Sequence, residues 1–467
     1  MEPFRHHVFV CTQEKPEGVT SCPANGSWPL LRSLENEILS QGLDNNVQLS
    51  TCGCLGLCDE GPILIVYPEG VWYRKVQPAD VPEIVSSHLR AGNVVARLSW
   101  TDSPAMKSMS LEHREHFRAM MKARDQAGIL PDDVHELIRG FMSSRAALSA
   151  LELDIFTAVG RSSTAEQVAR KIHTDSRATE MLLNALVSLR LLEKQDGTFH
   201  NTALSARFFV EGSPDNARPG LLHTANLWGR WSTLSDAVRA GTSVAPGRRD
   251  TSGTVAFIAA MDRNAKERAN AVVKAVEPAG LRRMLDLGGG SAAYSIAFAR
   301  ACPSLHSEIL DLAEVVPIAQ QHIRHAGLAS QVSTRVGDML QDPLGENYDL
   351  VLVSAICHMF SVEQNRALFQ RIFRALAPAG RFVIQDFILE PDKTAPRFAA
   401  LFALNMLVGT RGGSSYSEPE YSAWLADTGF SGIRRVRLPG PAGLILATRP
   451  FPGMIWRAAY SSAPSAR

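Results

Sequence analysis

Met284-Leu285-Asp286-Leu287-Gly288-Gly289-Gly290-Ser291-Ala292 is an apolar strand that runs into three glycines and then into a helix. Missing side chains let the backbone come close to a ligand at the carboxyl end of a first parallel strand. A glycine triplet alone is weak, because dinucleotide-binding enzymes carry similar turns. Three further features strengthen it. Asp311 closes the next strand 25 residues after Asp286 (311 − 286), where an acid can bind both ribose hydroxyls. Gly337-Asp338-Met339 closes the third, where a carboxylate can accept from an adenine amino group and a methionine can pack on the ring. The fourth strand is expected to end at His358, facing the same crevice.

Outward from that turn the carboxyl-terminal half alternates strand and helix. Strands are predicted at Met284–Leu287, Ser307–Leu312, Val332–Val336, Tyr348–Ser354 and Arg381–Phe387, with helices such as Ala293–Cys302 and Val362–Leu376 between them. Such alternation means a parallel sheet covered on both faces.

At 467 residues the chain is too long for one ordinary core, and two to four domains are expected. The net charge of +1 offers no field to gather nucleic acid or an anionic membrane, so neither is expected as a partner. No apolar run reaches the roughly 18–20 residues of a membrane helix. The start, Met1-Glu2-Pro3-Phe4-Arg5, lacks the layout of a signal peptide, so a cytoplasmic location is expected.

Residues 1–91 read as a small α/β domain. Strands are predicted at His7–Cys11, Val47–Thr51, Ile63–Tyr67 and Val71–Val76, and helices at Pro29–Leu43 and Asp80–Leu89. Five of the seven cysteines (Cys11, Cys22, Cys52, Cys54, Cys58) lie here. Clustered cysteines without an export signal more often bind metal than form disulfides. Ten residues separate Cys11 from Cys22 and three separate Cys54 from Cys58, unlike zinc knuckles or bacterial 4Fe–4S runs.

The stretches His7-Val8-Phe9-Val10-Cys11, Cys54-Leu55-Gly56-Leu57-Cys58-Asp59-Glu60-Gly61-Pro62 and Val66-Tyr67-Pro68-Glu69-Gly70-Val71-Trp72-Tyr73 resemble the thioredoxin-like 2Fe–2S ferredoxins. The resemblance implies a 2Fe–2S cluster on Cys11, Cys22, Cys54 and Cys58, and with it an electron-transfer partner. Zinc, or a fold without a cluster, stays open as the alternative. Cys52 falls outside the set, as a spare thiol or a substitute ligand.

Residues 92–131 read as a linker with one helix, His113–Gln126. Residues 132–253 read as a helical domain with N-caps at Ser163-Thr164 and Asp175. Leu191–Lys194 and Thr198–Asn201 look like the wing of a winged helix, and a helical region at about Pro219–Ala240 carries Trp228 and Trp231 before a loose loop, Gly241–Gly253. Winged helices read DNA. Here, however, Asp175–Leu191 sets Arg177 and Arg190 against Asp175 and Glu180, a poor phosphate-binding face. Dimerisation is the better use of it.

The strand-end series of residues 254–450 resembles the S-adenosylmethionine (SAM)-dependent methyltransferases, in detail the family of plant caffeate and bacterial polyketide O-methyltransferases. That family joins a winged-helix-like dimerisation domain to a Rossmann-like class I catalytic domain. The resemblance implies a homodimer and SAM contacts from Gly288, Asp311, Leu312, Asp338 and Met339, with Asp286 and Gly290 of the same turn in the binding set. It implies His358 as the base that deprotonates the acceptor hydroxyl and Asp386 as its orienter. Imidazole titrates near neutrality and suits that work. The plain alternative is a strand-end histidine held by packing.

Three positions depart from the family: Met359-Phe360 follows His358 in place of Asp-Trp, Ser415 stands where a second orienting acid is expected, and Ser354 replaces a SAM-contacting lysine. Phe257 and Met261, spaced i, i+4, fit either the substrate wall or a core, and Trp228, Trp231, Phe402, Asn405 and Met406 are further pocket candidates. They suit a small apolar or aromatic acceptor. Carbon or nitrogen methylation, or a redox protein holding SAM as a structural ligand, are the competing functions. Residues 451–467 read as a tail.

Overall fold

The computed structural model describes residues 3–15, 19–244 and 251–451. Much of the loop expected at Gly241–Gly253, and all but the first residue of the tail, lie outside the described residues. The chain divides into two compact units, Met1–Phe141 and Met142–Arg467.

In the first unit β1 (His6–Cys11), α1 (Ser27–Ser40), β2 (Val47–Cys52), β3 (Leu64–Tyr67) and β4 (Val71–Tyr73) follow in order. The sheet runs β2-β1-β3-β4, with β2 parallel to β1 and the β3–β4 hairpin antiparallel to it. Leu30, Leu31, Leu34 and Ile38 line one face of α1 at helical spacing and are buried with Val8, Val10 and Val66. The helix expected at Asp80–Leu89 is divided: α2 (Val81–Glu83) leads into a π-helical stretch, Ile84–Arg90.

The linker reading needs correction. The helix expected at His113–Gln126 begins ten residues earlier, as α3 (Ser103–Gln126), where the Asp102 carboxylate accepts from the Ala105 amide. Its Met106 and Met109 pack beside the cysteines, and Ser110 Oγ donates to the Leu55 carbonyl at 3.0 Å. No residue of α3 is fully buried, so its sequence carries little apolar periodicity to read. α4 (Asp132–Glu152) follows.

The second unit begins within α4 and continues with α5 (Ile155–Val159), α6 (Ala165–Ile172), α7 (Ser176–Ser188), β5 (Leu192–Gln195), β6 (Thr198–Asn201), α8 (Ala203–Phe208), α9 (Arg218–Trp231) and α10 (Leu234–Ala240). Thr164 and Asp175 cap α6 and α7 through their side chains, as expected. After α11 (Thr251–Val276) come β7 (Arg283–Leu287), α12 (Ala293–Ala301), β8 (His306–Asp311), α13 (Val316–His325), β9 (Val332–Val336), β10 (Tyr348–Ser354), α14 (Val362–Ala375), β11 (Leu376–Asp386), α15 (Arg397–Gly409), α16 (Glu418–Thr428), β12 (Ser431–Arg437) and β13 (Gly443–Thr448).

These form one seven-stranded sheet, β12-β13-β11-β10-β7-β8-β9, parallel except that β13 pairs antiparallel with both β11 and β12. Strands alternate their side chains between two buried layers. Leu285 and Leu287 join Leu368, Phe369 and Ile372 of α14 on one face, while Met284 joins Val272 and Val276 of α11 and Phe298 of α12 on the other. The antiparallel pair β12–β13 was not anticipated, and β11 starts five residues before its expected Arg381. Nor does the fourth strand reach His358: β10 ends at Ser354, and His358 sits in a single 3₁₀ turn, Cys357–Met359. Among the described residues no helix is long and apolar enough to cross a membrane.

Candidate active site and the cysteine cluster

The strand order reverses between β7 and β10, and crevices outside the carboxyl ends of strands at such a point bind ligands. The glycine turn follows β7, Asp311 ends β8, His358 follows β10 and Asp386 ends β11. Parallel pairing thus brings residues far apart in the chain to one edge.

At the glycine turn, Gly288 N donates to the Leu310 carbonyl at 2.9 Å. Gly290 N donates to Asp311 Oδ2 at 2.8 Å, and Leu312 N to Asp311 Oδ1 at 2.8 Å. Gly290 holds φ +58 and a Cβ there would meet nothing within 4 Å, so its outer side is open to a ligand. Met339 reaches across Gly288, and Leu312 is half exposed. Asp338 is more occupied than its reading suggests: its oxygens already accept from Leu340 N and Gln341 Nε2.

Asp286 is fully buried, with Oδ2 accepting from Ser295 Oγ at 2.7 Å and Oδ1 without a hydrogen-bond partner among the described residues. Burial pushes its carboxyl up to about 7. A pinned acid after β8, an open glycine and an orphaned carboxylate oxygen together fit a cofactor that carries ribose and charge.

His358 is buried, and its Nδ1 stands 2.6 Å from Asp386 Oδ1. A carboxylate only accepts, so Nδ1 carries a proton, and in the neutral ring that leaves the lone pair on Nε2. Asp386 is itself held by Phe387 N at 2.8 Å, His358 N at 3.1 Å and Tyr421 Oη at 3.2 Å. Phe402 meets the His358 ring edge-on at 4.8 Å, and Phe387 and Phe398 extend the aromatic wall. A Cβ on Gly413 would collide with the His358 carbonyl, so the loop after α15 rests directly on the histidine's backbone.

Ser415 does not act as a second orienter here; its Oγ is buried without a hydrogen-bond partner among the described residues. Ser354, in the lysine position, donates to Gln385 Oε1 at 2.6 Å, as Tyr294 does at 3.0 Å. Trp231 Nε1 donates to Asn405 Oδ1 at 3.0 Å, tying α9 to α15, while the Trp228 ring faces Arg145. Phe257 lies edge-on to His223, and Met406 is buried. Tyr421 was missed, although Ser417 and Glu420 mark a capping box before its helix. That signal locates the helix but not the residue it reaches.

The chain matches the model of the O-methyltransferase domain over residues 231–431 and that of the O-methyltransferase dimerisation domain over residues 135–211. A 3-hydroxy-5-methyl-1-naphthoate 3-O-methyltransferase of Streptomyces sahachiroi is 31% identical over 334 residues, covering 68% of this chain and 95% of the relative. The chain belongs to the O-methyltransferase family. A tetracenomycin polyketide 8-O-methyltransferase of Streptomyces glaucescens is 30% identical, covering 68% and 97%. Human N-acetylserotonin methyltransferase, solved in complex with SAM, superposes with TM-score 0.62 at 27% identity, covering 68% of this chain and 96% of that one. This O-methyltransferase is therefore a SAM-dependent enzyme with a class I catalytic fold and the family's helical dimerisation domain.

In the methyltransferase's first unit the cysteines converge. Cys11, Cys22 and Cys58 are buried and Cys54 is exposed, and none of them is in a disulfide. Cys11 and Cys22 are buried in one cluster with Leu57, and Cys22 Sγ and the Cys58 carbonyl both border Gly61. Cys54 Sγ is 3.7 Å from Cys58 Sγ and accepts from Gly56 N at 3.3 Å. Hydrogen bonds from Cys22 and then Cys54 pull the Cys58 thiol down, with Lys15 Nζ donating to it at 3.0 Å, and Cys22 likewise lowers Cys11. Four soft donors, three of them buried, fit an iron–sulfur centre or zinc. Cys52 is paired across the sheet with Cys11 but stands outside this chain of thiols, and burial pushes it up to about 11. Lys15 and His113 border the cluster and were missed; neither stands in a cysteine motif.

Proposed function

We propose that this enzyme transfers the methyl of SAM to a hydroxyl of a small apolar or aromatic molecule, with His358 as general base and Asp386 holding it. The observation that carries this reading is the 2.6 Å pair of His358 Nδ1 and Asp386 Oδ1 beneath an aromatic wall. Bound SAM supplies an electrophilic methyl on a sulfonium. Asp311 holds the ribose at the glycine turn of Gly288 and Gly290, with Asp286 beneath it and Leu312, Asp338 and Met339 around the adenine. His358 Nε2 takes the proton from the acceptor hydroxyl as it attacks. Phe387, Phe398 and Phe402 exclude water and orient an apolar ring, and orientation supplies much of the rate. Two relatives are named as O-methyltransferases, one of a hydroxynaphthoate and one of tetracenomycin polyketide synthesis, which favours O-methylation of an aromatic acceptor over the carbon, nitrogen and redox alternatives. The test is mass-spectrometric detection of methylated product from SAM and a panel of hydroxylated aromatics without reductant. Transfer to none of them, or transfer to carbon or nitrogen, would refute it.

The amino-terminal unit is read as a thioredoxin-like domain holding a 2Fe–2S cluster on Cys11, Cys22, Cys54 and Cys58. The βαβ–ββ order of its sheet and the four converging thiols support this. The cluster would supply one-electron chemistry to a redox partner. The enzyme is also read as a homodimer. Leu137, Ile138, Phe141 and Met142 on α4 are all more than half exposed, an apolar face that a second copy would cover. Sedimentation of the purified chain as a monomer would refute that.

A further inference from the structure

We propose that His6, Glu69 and His88 form a divalent-metal site of zinc type at the end of the amino-terminal sheet opposite the cysteines. His6 opens β1, Glu69 sits in the turn between β3 and β4, and His88 lies in the π-helical stretch after α2. The antiparallel register of β1 and β3, with His7 beside Tyr67, brings the turn to the start of β1. Cys11 closes the same strand five residues on, about 17 Å away at 3.3–3.4 Å per residue. The two centres are therefore separate.

One ligand atom from each of the three residues lies within 4.8 Å of the other two. His6 Nδ1 stands 3.3 Å from Glu69, and His88 Nε2 stands 3.9 Å from the same carboxylate. That second gap is too long for a hydrogen bond, and His88 Nε2 has no hydrogen-bond partner among the described residues. His88 is fully buried and His6 is 2% exposed, so an unsatisfied ring nitrogen here is costly. A tetrahedral zinc with bonds near 2.0–2.1 Å holds its ligand atoms roughly 3.3 Å apart, close to the spacing found.

The surroundings suit ligation. Val95 N donates to Tyr73 Oη at 3.0 Å, and Tyr73 Oη stands 3.0 Å from His88 Nδ1. The phenol can accept the Nδ1 proton when Nε2 binds metal, the kind of outer contact that fixes a ligating imidazole. Glu69 is partly exposed, which gives a metal an entry route and a water as fourth ligand. Bound there, the ion would pin β1, the β3–β4 hairpin and the π-helical stretch together.

Cobalt(II) added to the full-length protein tests this, because imidazole–carboxylate cobalt shows ligand-field bands without the intense thiolate-to-cobalt charge transfer of cysteine sites. The expected result is such bands in the parent and in Cys54→Ser. They should weaken at least about tenfold in Glu69→Gln and in His6→Gln, each checked for native far-ultraviolet circular dichroism. Zinc should displace the cobalt. Bands that survive both substitutions, or cobalt bound only with thiolate charge transfer, would overturn the site.

Discussion

His358 and Asp386 stand 28 residues apart in the chain yet share a 2.6 Å contact, and the same carboxylate also accepts from the histidine's own amide. One acid therefore sets both the ring's tautomer and the position of its backbone. Asp386→Asn can still accept, but it can also present an amide N–H to Nδ1 and force the proton onto Nε2. Turnover should fall about 100-fold or more in Asp386→Asn and in His358→Ala, with SAM affinity nearly unchanged. Tyr421→Phe removes only one of four contacts and should cost much less. Steady-state kinetics with calorimetric SAM binding decide the matter; an unchanged kcat in His358→Ala would leave proximity as the whole of catalysis.

Asp311 is pinned by two backbone amides and lies at the carboxyl edge of β8. Replacing it by alanine should weaken SAM binding by roughly 1–3 kcal/mol, because buried ribose hydroxyls lose their acceptor. Equal affinity of Asp311→Ala and parent by calorimetry would show that the ribose binds elsewhere.

Asp286 predicts a pH effect. Its folded carboxyl titrates at about 7 against an ordinary 3.8, chiefly because it is buried. A raised acid favours the protonated folded state, so its stability penalty is absent below about pH 4. The penalty grows as pH rises from there to 7, reaching on the order of 4 kcal/mol above that range. Asp286→Asn should thus melt like the parent at pH 4 and progressively above it toward pH 8. A gain independent of pH would contradict this origin.

For the cysteine cluster, serine at Cys11, Cys22, Cys54 or Cys58 should each remove bound iron, visible absorption and the electron paramagnetic resonance of the reduced protein. Cys52→Ser should leave all three, since Cys52 stands outside the chain of thiols. Loss on Cys52→Ser but not on Cys54→Ser would exchange their roles, and zinc in place of iron after anaerobic purification would dismiss the iron–sulfur reading.

Much of this was legible in local sequence. The glycine turn after Met284–Leu287, the acid closing the next strand and the cap residues Thr164 and Asp175 are decided by near neighbours in the chain. Backbone conformation, capping and strand alternation are short-range properties, so the alternating parallel architecture and the cysteine loop could be read directly. Contacts between distant residues could not. Tyr421 beneath Asp386, α3 against the Leu55 loop, the antiparallel β12–β13 edge and the approach of His6, Glu69 and His88 each depend on which strands and helices become neighbours. That order is set by burying apolar faces throughout the molecule, so no local pattern encodes which side chains the packing brings together.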